Sequence, residues 1–150
     1  MVQCSGGEKR RCAIAGVIAM EPEIFILDEP TAGLDPAGKK QILDLIRSLY
    51  EEKGVCVIMV SHNMDEIAQY ARRVMVMHKG SLIMDGEVHE VFSDVENLKK
   101  AGLSLPAAAA FAESLGIKNA ITVDEAAEQI YAAYIQGCFT QGRADRGLSE

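Results

Sequence analysis

The 150-residue sequence is short of basic residues, with 15 lysines and arginines against 22 aspartates and glutamates. The net charge of -7 argues against general nucleic-acid binding, because that activity needs clustered basic residues to displace counterions. Long apolar runs are also missing. The longest covers residues 12–20, and shorter ones include 55–60, well short of the about 20 residues that span a bilayer. We therefore expect no nucleic-acid partner and no segment that crosses a membrane.

The sequence likewise lacks a secretion signal and paired cysteines. Its first residues lead into a polar, glycine-rich stretch, with neither the basic start nor the apolar core of a signal peptide. The four cysteines, Cys4, Cys12, Cys56 and Cys138, form no C-x-x-C pair. We therefore expect reduced thiols and a cytoplasmic protein. The 49% hydrophobic content is too high for a disordered chain and fits a compact domain.

The first two thirds of the sequence predict an α/β fold. A helix over 6–20 is followed by two apolar runs, 24–27 and 55–60, which we predict to be strands buried on both faces. Residues 37–52 lie between them and place four apolar side chains on one helical face: Ile42, Leu45, Ile46 and Leu49. Strand, helix and strand with short connections predict a parallel βαβ unit.

The sequence after this unit predicts a short helix, a hairpin and then helices only. Residues 64–72 have a helical apolar face, and the runs 74–77 and 81–84 flank the turn Lys79-Gly80. Two capping boxes, Ser93-x-x-Glu96 and Thr122-x-x-Glu125, and a proline at 106 predict helices further on. We predict an α/β part over 1–93, a helical appendage over 94–136 and a disordered tail over 137–150.

Polar residues that suit phosphate chemistry follow both predicted strands. Asp28 and Glu29 end the first strand, and His62 follows the second, so all three should meet at one edge of the sheet. One carboxylate can hold Mg²⁺ and its neighbour can orient or deprotonate a water. In isolation, Asp-Glu is more often an acidic strand-to-loop junction, and a single histidine is usually an ordinary loop residue.

The segment Ser5-Gly6-Gly7-Glu8 opens the first helix. Ser5 can cap that helix, and the two glycines leave backbone N–H groups open to an anion. Alone, this pattern is also that of an ordinary helix start. The basic residues that follow, 9–11, read as a solvated or interface face of the helix.

Residues 33–40 match seven of the eight positions of the P-loop pattern G-x-x-x-x-G-K-[ST]. Lys40 offers no hydroxyl to Mg²⁺, Pro36 removes a backbone N–H, and Asp35 brings a negative charge toward the phosphates. We therefore do not expect a phosphate cradle here, and no other segment of the sequence comes closer to the pattern.

The segments CSGGE, ILDEPTAGLD and VSHN, in this order, resemble the ATPase domain of ATP-binding cassette (ABC) transporters. Longer stretches, including SGGEKRRCAIAGVIAMEPEIFILDEPTAGLDPAGKK, SHNMDEIA and RVMVMHKGSLIMDGEVHEVF, resemble the ATPase subunits of energy-coupling-factor (ECF) transporters. The resemblance covers about residues 3–116. It implies a partial P-loop NTPase fold of the α/β class: a parallel sheet with flanking helices and a hairpin, followed by a small helical C-terminal appendage.

The resemblance also implies a role for each site residue. Ser5, Gly6 and Gly7 would be the signature motif, which clamps the γ-phosphate held by a partner subunit. Asp28 would be the Walker B carboxylate that holds Mg²⁺, and Glu29 the catalytic base. Asp35 would belong to the loop that crosses the dimer interface, and His62 would be the switch histidine. ATP and Mg²⁺ would be the cofactors of the complete subunit.

The implied partners are a second ABC ATPase subunit, in a homodimer or heterodimer, and a transmembrane transporter component. The implied location is cytoplasmic, on the inner face of the cell membrane, and the implied function is MgATP-driven import of cobalt, nickel or a vitamin. Because the sequence has no P-loop, we expect the chain alone to be inactive. The alternatives are a non-catalytic fragment that docks on an intact ATPase and an ABC ATPase unrelated to transport.

Overall fold

The computed structural model describes residues 6–135 and divides the chain into two compact units, Met1–His62 and Asn63–Glu150. The first unit contains α1 (Gly6–Ile18), β1 (Ile24–Asp28), α2 (Pro36–Lys53) and β2 (Cys56–Val60). The second unit contains α3 (Met64–Tyr70), β3 (Arg73–His78), β4 (Ser81–Glu87), α4 (Val88–Ser93), α5 (Val95–Lys100), α6 (Ala107–Ser114) and α7 (Val123–Ile135).

The predicted βαβ unit is confirmed in the first unit. β1 and β2 pair in parallel, with Ile24 opposite Cys56 and Asp28 opposite Val60, and α2 forms the crossover between them. Gly54 ends α2 at a φ of 67°, a left-handed conformation that glycine adopts without steric cost. The buried hydrophobic core of this unit comes from both helices and β1: Ile14, Phe25, Leu27, Ile42, Leu43, Ile46 and Leu49.

The prediction that both strands are buried on both faces is wrong for the part of the chain that the structure describes. Phe25 and Leu27 are buried on one face of β1, whereas Ile24 and Ile26 are 59% and 65% exposed on the other. Ile58 and Val60 extend this exposed face across β2. Side chains alternate between the two faces of a strand, so helices on one side can bury only every second residue.

The predicted hairpin is confirmed in the second unit. β3 and β4 pair antiparallel, with an irregularity in register between Val76 and Met77. Val74 and Val76 on the covered face join an apolar cluster with residues of α3 to α6 and the loop before α7. Its buried members are Ala68, Val74, Val76, Val88, Val91, Phe92, Leu98, Ala109 and Ile121. This unit therefore has an apolar core of its own.

One of the two predicted capping boxes is confirmed and the other is wrong. The Thr122 hydroxyl accepts from the Glu125 N–H, and Glu125 accepts from the Thr122 N–H, both at 3.3 Å. Ser93 instead ends α4 and donates to the carbonyl of Glu90. Asp94 caps α5 by accepting from the Asn97 N–H at 3.2 Å. A carboxylate and a hydroxyl are both good caps, so adjacent Ser and Asp leave the start of the helix ambiguous by one residue.

No helix within residues 6–135 has the length and apolar content to cross a bilayer. Within the described chain, the elements after the hairpin are all helices, α4 to α7, as the sequence predicts. The division into 1–93 and 94–136 stays a prediction. The predicted tail, 137–150, lies outside the described residues.

Candidate functional site

The carboxyl ends of β1 and β2 lie at the same edge of the sheet. Their parallel register places Asp28 opposite Val60, and the Glu29 N–H donates to the Val60 carbonyl at 2.9 Å, which continues the pairing one residue beyond β1. His62 is two residues beyond the end of β2. The sequence therefore predicted correctly that the acidic pair and the histidine meet at one edge.

Glu29 and His62 are in direct contact. Nδ1 of His62 lies 2.6 Å from Oε1 of Glu29, and the backbone N–H of His62 donates to the same oxygen at 3.1 Å. The Glu29 side chain is 31% exposed and that of His62 is 84% exposed. The pair is thus open to solvent, and Oε2 of Glu29 takes part in neither contact.

Asp28 presents its carboxylate on the exposed face of the sheet, in line with Ile24 and Ile26. Residues 6–135 contain no group of three or more His, Cys, Asp or Glu side chains that could cage a metal ion. A single exposed carboxylate suits Mg²⁺, which binds one or two carboxylates and takes its other ligands from phosphate oxygens and water. The donor set therefore fits Mg²⁺ bound together with a nucleotide.

The loop after β1 has an unusual backbone. Glu29 has a φ of 46°, a left-handed conformation that is uncommon for residues with a side chain. Pro30 and Thr31, which follow it, are buried and anchor the loop. Gly33 then adopts a φ of 73°, where a glycine avoids the steric cost. The catalytic candidate thus lies on a constrained turn rather than on a regular strand.

Asp35 caps α2. Its side chain accepts from the Gly38 N–H at 3.1 Å, and Pro36 occupies the first helical turn, where its missing N–H costs little. A Cβ added at Gly38 would lie only 2.7 Å from Oδ1 of Asp35, so a side chain there would displace the capping carboxylate. The carboxylate occupies the helix N-terminus that a phosphate would need, which agrees with rejecting residues 33–40 as a P-loop.

Gly6 and Gly7 form the first turn of α1, as the sequence predicts. A Cβ at Gly7 would lie 3.3 Å from a methyl group of Leu34, so the start of α1 packs closely against the loop that follows β1. Gly6 is exposed and has no atom within 4 Å of such a Cβ. Ser5, the third predicted signature residue, lies outside the described residues.

Arg10 is a residue at this site that the sequence interpretation missed. Its guanidinium donates to the carbonyls of Glu29 at 2.6 Å and Ala32 at 2.8 Å, and it lies 3.5 Å from the carbonyl of Asp28. The prediction of a solvated or interface face for residues 9–11 did not include these bonds, and Arg10 is only partly exposed. The one available signal was its position on α1, one turn after the two glycines.

A sequence profile described as ABC transporter matches residues 1–32. The energy-coupling factor transporter ATP-binding protein EcfA2 of Clostridium perfringens is 59% identical over 102 residues, which are 68% of this chain and 36% of that protein. The EcfA2 protein of Bacillus cereus is 47% identical over 124 residues, 83% of this chain and 42% of that protein. The chain thus spans less than half the length of these curated relatives.

A solved structure of cbiO1 from Clostridium perfringens, described as part of the ABC transporter complex cbiONQ, is 44% identical. It superposes with a TM-score of 0.55 over 65% of this chain and 39% of its own. The partial P-loop NTPase fold that the resemblance implied is therefore confirmed. Over the length that it spans, the chain belongs to the family of ABC ATPases that contains the ATP-binding proteins of ECF transporters.

Proposed function

We propose that this chain carries the hydrolytic residues of an ATP-binding subunit in an ECF-type ABC importer. The observation that supports the proposal most directly is the contact between Glu29 and His62, beside Asp28, at the carboxyl edge of the parallel sheet. The complete subunit would dimerise on binding MgATP and power the import of cobalt, nickel or a vitamin. The family implies ATP and Mg²⁺ as the cofactors.

In this proposal Glu29 acts on the attacking water. Its two contacts with His62 both fall on Oε1, so Oε2 is the oxygen that would orient a water or accept its proton. The distance from Nδ1 to Oε1 fits a hydrogen bond donated by the ring to an ionised carboxylate. That bond would fix the ring and leave Nε2 of His62 to contact the γ-phosphate.

Asp28 would hold Mg²⁺ through its exposed carboxylate, and the ion would neutralise charge on the phosphate oxygens. The nucleotide cradle must come from elsewhere, because the 150 residues contain no complete G-x-x-x-x-G-K-[ST] pattern. The start of α1, at Gly6 and Gly7, would close the partner's nucleotide site together with Ser5. Asp35 would lie at the dimer interface in addition to capping α2.

The proposed assembly has two kinds of partner. One is a second ABC ATPase subunit, and one solved relative, 31% identical with a TM-score of 0.53, is described as a dimeric ATP-binding cassette in a post-hydrolysis state with ADP and phosphate. The other is a transmembrane component, a proposal supported by the similarity to cbiO1, which is part of the ABC transporter complex cbiONQ. The subunit would lie in the cytoplasm, on the inner face of the cell membrane.

The hydrolytic role is tested by Glu29→Gln in a chimera that joins this chain to the part of the Clostridium perfringens relative outside the matched region. We expect ATP to bind and the dimer to persist, while turnover is lost, because glutamine cannot accept the proton. Glu23→Gln is the matched control, since Glu23 is an exposed glutamate just before the opposite end of β1. Unchanged turnover in Glu29→Gln would exclude the proposed base.

A second candidate is a non-catalytic fragment that docks on an intact ATPase and supplies only its signature residues. The absence of a complete P-loop pattern favours it. ATP-dependent association of this chain with an intact relative would support this candidate, and no association would argue against it. Tight, stoichiometric ATP binding by the purified chain alone would contradict the expectation that this chain, without a P-loop, binds MgATP weakly or not at all.

A further inference from the structure

The guanidinium of Arg10 donates hydrogen bonds to backbone carbonyls of the loop that carries Glu29. One guanidinium nitrogen, Nη1, donates to Ala32 at 2.8 Å, and the other, Nη2, donates to Glu29 at 2.6 Å. The carbonyl of Asp28 lies 3.5 Å from Nη2. Carbonyl oxygens that converge on one point repel each other, and a cation with several donors in a fixed plane offsets that repulsion.

The backbone of Glu29 needs such support. Its φ of 46° is left-handed, and a residue with a side chain persists there only when its surroundings hold it. The Glu29 N–H is held by the Val60 carbonyl at 2.9 Å, and the Glu29 carbonyl accepts from the Ala32 N–H at 3.2 Å. Of these three contacts to the backbone of Glu29, the one from Arg10 is the shortest and the only one made by a charged group.

We propose that Arg10 is a positioning residue that locks the turn over residues 29–32 and thereby holds the Glu29 carboxylate against His62. The catalytic consequence rests on the proposed function, whereas the effect on the turn does not. Arginine is required because its two terminal nitrogens reach two different carbonyls at once, and a lysine ammonium acts as a single point of charge.

The same contact joins the turn to the start of α1. Arg10 lies one helical turn after Gly6 and Gly7, and Gly7 packs against Leu34 at the far end of the loop. A displacement of α1 at its first turn is therefore passed to both ends of the loop. Through Arg10, the helix that bears the signature glycines sets the position of the carboxylate that acts on water.

The first test needs no nucleotide and uses the full chain. Amide hydrogen exchange is compared at Ala32 and Leu34, whose N–H groups bond within the loop, in the wild type, Arg10→Met and Lys9→Met. Lys9 is the matched control, because it is exposed on the same helix. We expect exchange in Arg10→Met to rise about tenfold or more, because a charge-assisted hydrogen bond is lost, and Lys9→Met to match the wild type. Equal exchange in Arg10→Met and Lys9→Met overturns the proposal.

Arg10→Lys provides the second variant, with an expected intermediate rise. If Arg10→Met does not fold, Arg10→Lys decides, and wild-type exchange at Ala32 in that variant overturns the proposal.

In the chimera we expect Arg10→Met to lower kcat about tenfold and leave KM for ATP within about twofold, because the turn and not the nucleotide cradle is affected. A rise in KM with unchanged kcat overturns the catalytic part. If Glu29→Gln keeps full turnover, the proposed function is wrong. The exchange measurement still tests whether Arg10 holds the turn.

Discussion

The two units of this chain use their polar side chains differently. In the first unit, side chains join residues far apart in sequence: Arg10 reaches Glu29, 19 positions on, and Glu29 reaches His62, 33 positions on. In the second unit, side chains accept from the N–H groups at the starts of helices, both from three positions away, as Asp94 does with Asn97, and from 42 positions away, as Asp65 does with Ala107. The long-range bonds of Arg10 and Glu29 in the first unit meet at the candidate site, whereas these bonds of the second unit hold the starts of helices.

Apolar burial, by contrast, is similar in the two units. The second unit buries nine residues in one cluster, from Ala68 to Ile121. The first unit buries hydrophobic residues of α1, β1 and α2, and both units leave one face of their strands exposed, at Ile24 and Ile26 in the first and at Met75 and Met77 in the second. Both units therefore rest on an apolar core, while the long-range polar bonds of the first unit also fix the geometry of the site.

The largest effect is expected for Leu98→Ala. Leu98 is 1% exposed in the core cluster, and removing such a side chain costs about 2–5 kcal/mol of unfolding free energy. Leu82→Ala is the control, because Leu82 is 51% exposed on β4. The unfolding free energy of both variants is measured by urea unfolding that is monitored through hydrogen exchange of residues 63–135. A cost for Leu98→Ala no larger than that for Leu82→Ala would break the comparison.

Asp35→Ala should come next. The substitution removes the cap of α2 and a negative charge from the helix N-terminus, which together are worth about 1–2 kcal/mol of unfolding free energy. Asp35→Asn keeps the accepting oxygen and should retain most of the stability. Thermal unfolding monitored by circular dichroism distinguishes them. If the alanine variant is as stable as the wild type, the capping role of Asp35 is wrong.

Thr122→Ala sharpens the comparison within the second unit. It removes the confirmed capping box of α7 and should cost about 1 kcal/mol of unfolding free energy. Ser93→Ala changes the residue that the sequence wrongly predicted as a cap, and it should alter that free energy by less than about 0.5 kcal/mol. Equal losses in the two variants would contradict the assignment of Asp94 as the cap of α5.

The smallest effect is expected on the pH dependence of thermal stability. The hydrogen bond from Arg73, at 2.7 Å, lowers the pKa of Asp85 below its ordinary value of 3.8. A carboxylate with a lowered folded-state pKa stabilises the fold above its unfolded-state pKa, and this contribution is lost as the pH falls through the folded-state value. Wild type and Asp85→Asn should therefore differ slightly in thermal midpoint at neutral pH and converge in acid. A difference that grows below pH 3.8 would contradict the sign.

Local patterns in the sequence predicted most of the fold. The apolar period of Ile42, Ile46 and Leu49 predicted α2, and the apolar runs predicted the parallel strands, because periodicity depends on neighbouring residues only. The burial of β1 was predicted wrongly, since an apolar strand looks the same whether one face or both are covered. Burial depends on which elements pack against a strand, and the strand's own sequence does not contain that information.

The candidate site was predicted in part for the same reason. Strand ends predicted that Glu29 and His62 meet, because parallel strands share an edge. The contact of Arg10 with the Glu29 carbonyl was not predictable, because a carbonyl acceptor leaves no trace in residue identity. The left-handed φ of Glu29 was equally hidden, since glutamate rarely adopts it.

The exposed face of the first sheet has a consequence for handling the protein in solution. Within the described residues that sheet has only β1 and β2, so each strand has an open edge with unpaired backbone groups next to apolar side chains. Open apolar edges are templates for pairing with another chain. Purified chain should therefore bind dyes that report apolar surface, and its apparent size should rise with concentration. The substitution Ile26→Lys, in the middle of that face, should reduce both the dye binding and the rise in apparent size.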